Sequence, residues 1–214
     1  MPSVVDICNE ALSHLGDSAT VTSIDPPEGS AQAEHCARFY STALASLTEM
    51  QAWSFTAKRS TLAYVSNPSS TWAYAYALPS QTVNVLSILA SDATDDYSST
   101  ANINSPIGNY TPQPFAMETD ASGSDILLTN QVDAVMRYTV LISDTTKFSP
   151  LFVECLAWLL ASKLAGPVLK GDAGRAAAMS CMKMFQYWLG QATDSDSSQR
   201  KVAPRQQVAW MNAR

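Results

Sequence analysis

Few side chains in this sequence are equipped for chemistry. The soft donors are two histidines, His14 and His35, and four cysteines, Cys8, Cys36, Cys155 and Cys181. His35 and Cys36 can be joined on paper with Cys8 and His14 into a zinc site. Adjacent residues on a helix point about 100° apart, so the spacing does not enforce one. No Cys-x-x-Cys pair occurs and each cysteine lies in a helical pattern, which reads as reduced core thiols. Glycan hydrolysis uses two acids flanking the scissile bond, and the glutamates to weigh are Glu10, Glu34, Glu49, Glu118 and Glu154. Most sit at ordinary helix positions. Glu154 interrupts the most apolar stretch, where burial raises a carboxyl pKa as in acid catalysts. Pairing with Lys163 or Arg175, or a place in a subunit interface, accounts for it equally well. Asp92-Ala93-Thr94-Asp95-Asp96 opens like a calcium loop, but its twelfth position is Ile103 rather than Glu, and a solvated loop is expected. Gly-x-Ser-x-Gly, a phosphate-cradling glycine loop and His-Glu-x-x-His are absent from the sequence. The expectation is no catalytic residue, no cofactor and no metal.

The elements that must carry these residues are legible from periodicity. Val4, Cys8, Ala11, Leu12 and Leu15 form one helical stripe, with Ser3 as N-cap and Gly16 as stop. After Asp25-Pro26-Pro27-Glu28-Gly29, Ser30 can cap a helix of about 20 residues with Ala33, Cys36, Tyr40, Leu44 and Leu47 inward. From Trp53 the pattern changes. Trp72–Leu78 alternates aromatics with alanines, and Val83–Ile88, Asp125–Thr129 and Val132–Ile142 are rich in β-formers. Ser149-Pro150 opens a third helix that is apolar nearly all round, so central, with Gly166-Pro167 as its stop. A fourth helix is expected over 174–193, with Ala177, Cys181, Met184 and Trp188 inward and a polar break at 194–198. The fold class that follows is α+β. An antiparallel helical bundle forms from the N- and C-terminal helices (1–59 and 143–193), with a small antiparallel β-domain inserted at 60–142. An extended basic arm, 194–214, completes the chain.

Composition narrows the function. Of 214 residues, 46% are hydrophobic but only 15% charged, against about 25% in a usual soluble domain. Ser and Thr, 27 and 17 residues, replace charge as the polar surface. The net charge of −6 argues against a sequence-general nucleic-acid binder. No run approaches 18 consecutive apolar residues, so no transmembrane helix is expected, and the start of the chain lacks a basic signal-peptide region. Charge is unevenly laid out. No Lys or Arg occurs over the 77 residues between Arg59 and Arg137, which hold seven acids. Gln199–Arg214 holds Arg200, Lys201, Arg205 and Arg214 and no acid. With Trp210 and Val208 among them, these charges suit docking into a protein groove more than a nucleic-acid contact. The aromatics Trp53, Phe55, Trp72, Tyr74 and Tyr76 have no interleaved cations in 72–76, so they read as core or subunit interface rather than base-stacking platforms. Arg59 and Glu154 are further core or interface candidates.

In order, these pieces resemble the tail tubular protein A family of short-tailed, podovirus-type bacteriophages. The resemblance rests on Ile7–Gly16, Cys36–Tyr40, Trp53–Arg59, Tyr76–Pro79 and Ile126–Asn130. It continues through Arg137-Tyr138, Asp144, Phe148–Phe152, Leu156-Ala157 and Leu164–Pro167, and spans residues 4–192. Members often follow Leu-Pro with an acid and an Arg; Ser80–Asn84 supplies neither, and the segment after Asp194 does not align. The resemblance implies a structural, non-enzymatic head-to-tail adaptor in the virion, made in the host cytoplasm. It would form a homo-dodecameric ring between the portal protein and a tail nozzle protein of the tail tubular protein B type. Tail fibre or tailspike attachment is compatible with that position. Genomic DNA would pass through the channel during ejection without sequence-specific binding, and the chain alone would touch no membrane. The arm, with Arg200, Lys201, Arg205, Trp210 and Arg214, is then the expected portal-docking element. The alternative from a different class is a virion-associated peptidoglycan-degrading glycosidase.

Overall fold

The structure is a computed structural model that describes residues 2–18, 20–93 and 113–199. It is mixed helix and sheet, with four helices and two small antiparallel three-stranded sheets among the described residues. The chain divides into two compact units, a helical one (Met1–Thr56 and Leu141–Gln199) and a β unit that includes Ala57–Val140.

In the helical unit, α1 (Val4–His14) begins with a capping box. The Ser3 hydroxyl accepts from Asp6 N, and the Asp6 carboxylate accepts from Ser3 N. Two of the otherwise orphaned N-terminal donors are thereby satisfied. Ser30 caps α2 (Ala31–Met50), and Ser149 caps α3 (Pro150–Leu169) with Pro150 in its first turn. Helix α3 packs against α1, α2 and α4. Its fully buried residues include Phe152, Cys155, Leu156, Leu160 and Leu164. Each large apolar side chain so buried contributes about 1.5–3 kcal/mol. An unbroken apolar run proved too strict a test for a membrane-length helix. Helix α3 has 20 residues and mean hydropathy 1.5, enough by length and composition to cross a membrane. Its burial among three other helices makes it the core helix of this unit.

Helix ends depart from expectation. Gly166-Pro167 does not stop α3, which continues to Leu169 with Pro167 inside it. Proline there removes one hydrogen bond in the last turn, while Leu164, Ala165 and Val168 remain packed on the core. Helix α4 (Gly171–Ser197) starts earlier and ends later than 174–193. Only Lys170 separates α3 from α4, and both it and Gly171, the first residue of α4, have φ 55°. The stretch 194–198 is therefore mostly helix, not a break, because its polar groups find partners. Asp196 accepts from Ser54 N at 3.0 Å and Ser54 Oγ at 2.6 Å, capping the short 3-10 turn Ser54–Thr56. The expected inward stripe of α4 also shifts: Phe185 is buried and Met184 exposed, the buried set being Gly174, Cys181, Phe185 and Ala192.

The β unit holds two sheets rather than the single one expected. One orders β1 (Ala57–Thr61), β6 (Val135–Val140) and β3 (Thr82–Leu89); the other orders β2 (Tyr74–Ala77), β5 (Asp125–Thr129) and β4 (Phe115–Thr119). The central strands β5 and β6 are the most buried, having neighbours on both edges. In β2, Ala75 and Tyr76 are both buried, so the aromatic–alanine alternation does not separate an inner from an outer face. The β4–β5 turn is built by Asp120, whose Oδ1 accepts from Ser122 N (2.8 Å) and Ser124 N (2.9 Å). Gly123 supplies the φ of 83° that this turn requires.

Candidate functional site

Helix periodicity puts Glu10 and His14, four residues apart, on one face of α1. Helix α3 packs on α1 and brings Glu154 and Trp158, again four apart, to the same place. One donor atom from each of Glu10, His14 and Glu154 lies within 4.8 Å of the others, and all three residues are half-buried. Trp158 organises the group. Its Nε1 donates to Glu154 Oε1 at 2.8 Å, and its ring stacks on the His14 imidazole with centroids 3.7 Å apart and planes 6° from parallel.

Electrostatics sets the protonation preferences. Burial raises the Glu10 carboxyl above its ordinary value; the nearby Glu154 charge and a hydrogen bond between the two carboxyls add to this. That bond needs a proton on one of them. Burial lowers the His14 pKa, partly offset by Glu154, so the imidazole favours its neutral, lone-pair-bearing form. His14 Nε2 is buried and has no hydrogen-bond partner. The arrangement can share a proton or hold a cation, through two carboxylates and one neutral imidazole.

Other singled-out residues go elsewhere. The Cys36 thiol close to Cys8, together with burial, pushes the Cys8 thiol up. All four cysteines are buried and free. His35 is half-buried on α2, and the His35–Cys36–Cys8–His14 grouping does not form, since His14 joins Glu10 and Glu154. Glu154 does not pair with Arg175, which instead pairs with Asp172. Glu34, Glu49 and Glu118 are exposed. Trp53 is buried, donates from Nε1 to Leu47 O at 2.9 Å, and meets Phe152 edge-on at 5.0 Å. Phe55 joins the same aromatic cluster with Phe148 and Phe152. Trp72 packs half-buried on Ala75, Ile126 and Leu128 of the second sheet. Tyr74, Tyr76 and Tyr64 cluster, with Tyr64 and Tyr76 centroids 4.7 Å apart. Arg59 is exposed on β1, opposite Arg137 on β6. The arm residues Arg200, Lys201, Arg205, Trp210 and Arg214, and Asp95 and Asp96 of the acidic loop, lie outside the described residues.

Along the sequence Glu10 and Glu154 stand out only singly, Trp158 reads as part of the apolar core helix, and Asp196 as part of a polar break. The Glu10-x-x-x-His14 spacing was a usable signal, because i,i+4 donors on one helix face are preset for one ligand. Asp196 left no signal, since its partner Ser54 is distant in sequence. No protein-family model matches the chain, and no curated protein matches it by sequence.

Proposed function

We propose that this protein is a structural head-to-tail adaptor of a bacteriophage virion. Its helical unit, an antiparallel bundle, forms a ring between portal and tail nozzle through which genomic DNA passes. The observation that carries this reading is the solvent-facing side of α4. Met179 is 70% exposed and Tyr187 58%, with Met182 and Met184 also open. Large apolar side chains along a 27-residue helix, in a chain poor in charge, suit repeated subunit contacts. A closed ring needs two complementary patches per subunit. The Lys/Arg-free stretch and the basic segments offer charge of opposite sign for them. The resemblance to the tail tubular protein A family supplies the particular partners.

The C-terminal arm is the portal contact in this reading, with many weak arms adding through effective concentration. Deleting residues 199–214 should reduce co-assembly with the portal, read as particle mass with and without it. Undiminished binding overturns the arm's role, and a lasting monomer in the portal's presence overturns the adaptor.

One observation favours a second reading: Glu10 and Glu154 meet. A retaining glycosidase holds its carboxyls about 5–5.5 Å apart around the bond to be cut. Glu10 and Glu154 place a carboxylate oxygen each within 4.8 Å of the other. Activity on purified peptidoglycan that disappears in Glu154→Gln and Glu10→Gln would establish the glycosidase; an adaptor has no such activity to lose.

A further inference from the structure

We propose that Glu10, His14 and Glu154 bind a divalent transition cation of the zinc class, which fastens α1 to α3. Three observations converge on it. First, two carboxylates and an imidazole from facing helices present their donors within 4.8 Å of one another. Zinc at about 2.0–2.2 Å from N and O ligands spaces tetrahedral donors about 3.3–3.6 Å apart, so side-chain rotation of little more than 1 Å completes the geometry. Second, His14 Nε2 is buried with no hydrogen-bond partner. Buried polar atoms are nearly always satisfied, and an exception calls for a ligand or another cause. Third, Trp158 holds both helices' ligands in place, donating to Glu154 and stacking on His14. Metal ligands are commonly oriented by such outer partners.

The donor set decides the class of ion. Calcium takes six to eight oxygens and magnesium a near-ideal octahedron kept largely by water. One imidazole with two carboxylates, half-buried, suits zinc and its first-row neighbours. Three protein ligands leave a fourth position for water. The charge of the cation offsets both carboxylates, which otherwise face each other within 4.8 Å on neighbouring helices. This inference is independent of the adaptor reading, since it concerns contacts inside one chain.

The test uses full-length, tag-free protein stripped by a chelator and titrated with Zn²⁺ against a chromogenic competitor. Uptake of one equivalent is expected, with the midpoint of thermal unfolding raised by the ion. Glu10→Gln, which keeps the side chain's shape, should bind at least about 100-fold more weakly and show no thermal shift. Trp158→Phe keeps a ring over His14 but loses the donor to Glu154, and should weaken binding about 10–100-fold. Co²⁺ should give visible ligand-field bands without thiolate charge-transfer bands, separating this site from Cys8 and Cys36. No uptake, uptake undiminished in Glu10→Gln, or thiolate bands with Co²⁺ would each overturn the proposal.

Discussion

Asp6 and Asp144 show how single carboxylates secure the first turn of a helix. Asp6 accepts from Ser3 N and Ser3 Oγ, both at 2.8 Å. Asp144 accepts from Thr146 N at 3.0 Å and Thr146 Oγ1 at 2.7 Å. These bonds hold both carboxyls below their ordinary 3.8, led by the Ser3 backbone bond for Asp6 and the Thr146 hydroxyl for Asp144. A depressed folded-state pKa means that the unfolded chain binds more protons across that interval. The stabilisation is therefore present above pH 3.8 and is lost as pH falls through the lower folded values. Urea unfolding followed from about pH 7 down to pH 2 should show a shallower acid loss in Asp6→Asn/Asp144→Asn than in the parent. An unchanged acid limb would refute this account. Both caps were open to sequence reading in kind, because their partners lie two or three positions away.

Between elements, the junction of α3 and α4 depends on the absence of a side chain at Gly174. A Cβ built there would lie 2.8 Å from Ala165 O and 3.3 Å from Gly166 Cα, both backbone atoms that cannot swing aside. Gly190, on the same helix, has nothing within 4 Å of its Cβ position. The two positions should respond with opposite signs. Gly190→Ala should stabilise by up to about 1 kcal/mol through helix propensity. Gly174→Ala should destabilise by about 1–3 kcal/mol through overpacking. Equilibrium denaturation of the two variants measures both, and equal responses would discard the close-approach argument. Nothing in the local sequence distinguishes these glycines. Only the partner helix does.

For the molecule as a whole, surface composition matters more than net charge. The helical unit's residues, 1–56 and 141–199, contain twelve acids and six Lys or Arg, so acidity is not confined to the Lys/Arg-free middle. What distinguishes the surface is the apolar face of α4 around Met179 and Tyr187. Met179→Glu/Tyr187→Glu should abolish the proposed ring assembly in sedimentation while changing chain stability by less than about 0.5 kcal/mol, as exposed substitutions do. Rings of unchanged mass would remove α4 from the interface. The same helix shows the limit of reading burial from a stripe. Met184 and Phe185 are neighbours, so a helix rotated by one residue exchanges buried for exposed.

Local signals in the chain were sufficient for the α+β class, the caps at Ser3, Ser30 and Ser149, and the central place of α3. Each depends on neighbours within a few residues or on a periodicity that survives in any context. Tertiary structure alone decided the rest. It carried α4 through the polar 194–197 stretch by giving Asp196 a partner at Ser54, and it split the strands into two sheets by pairing β2 with β5 and β1 with β6. It also joined Glu10 and His14 to Glu154, which lies 140 positions after His14. Spacing along the chain carries no information about such a meeting. It follows from α1 and α3 burying their apolar faces against each other, which brings the polar edges of both helices together.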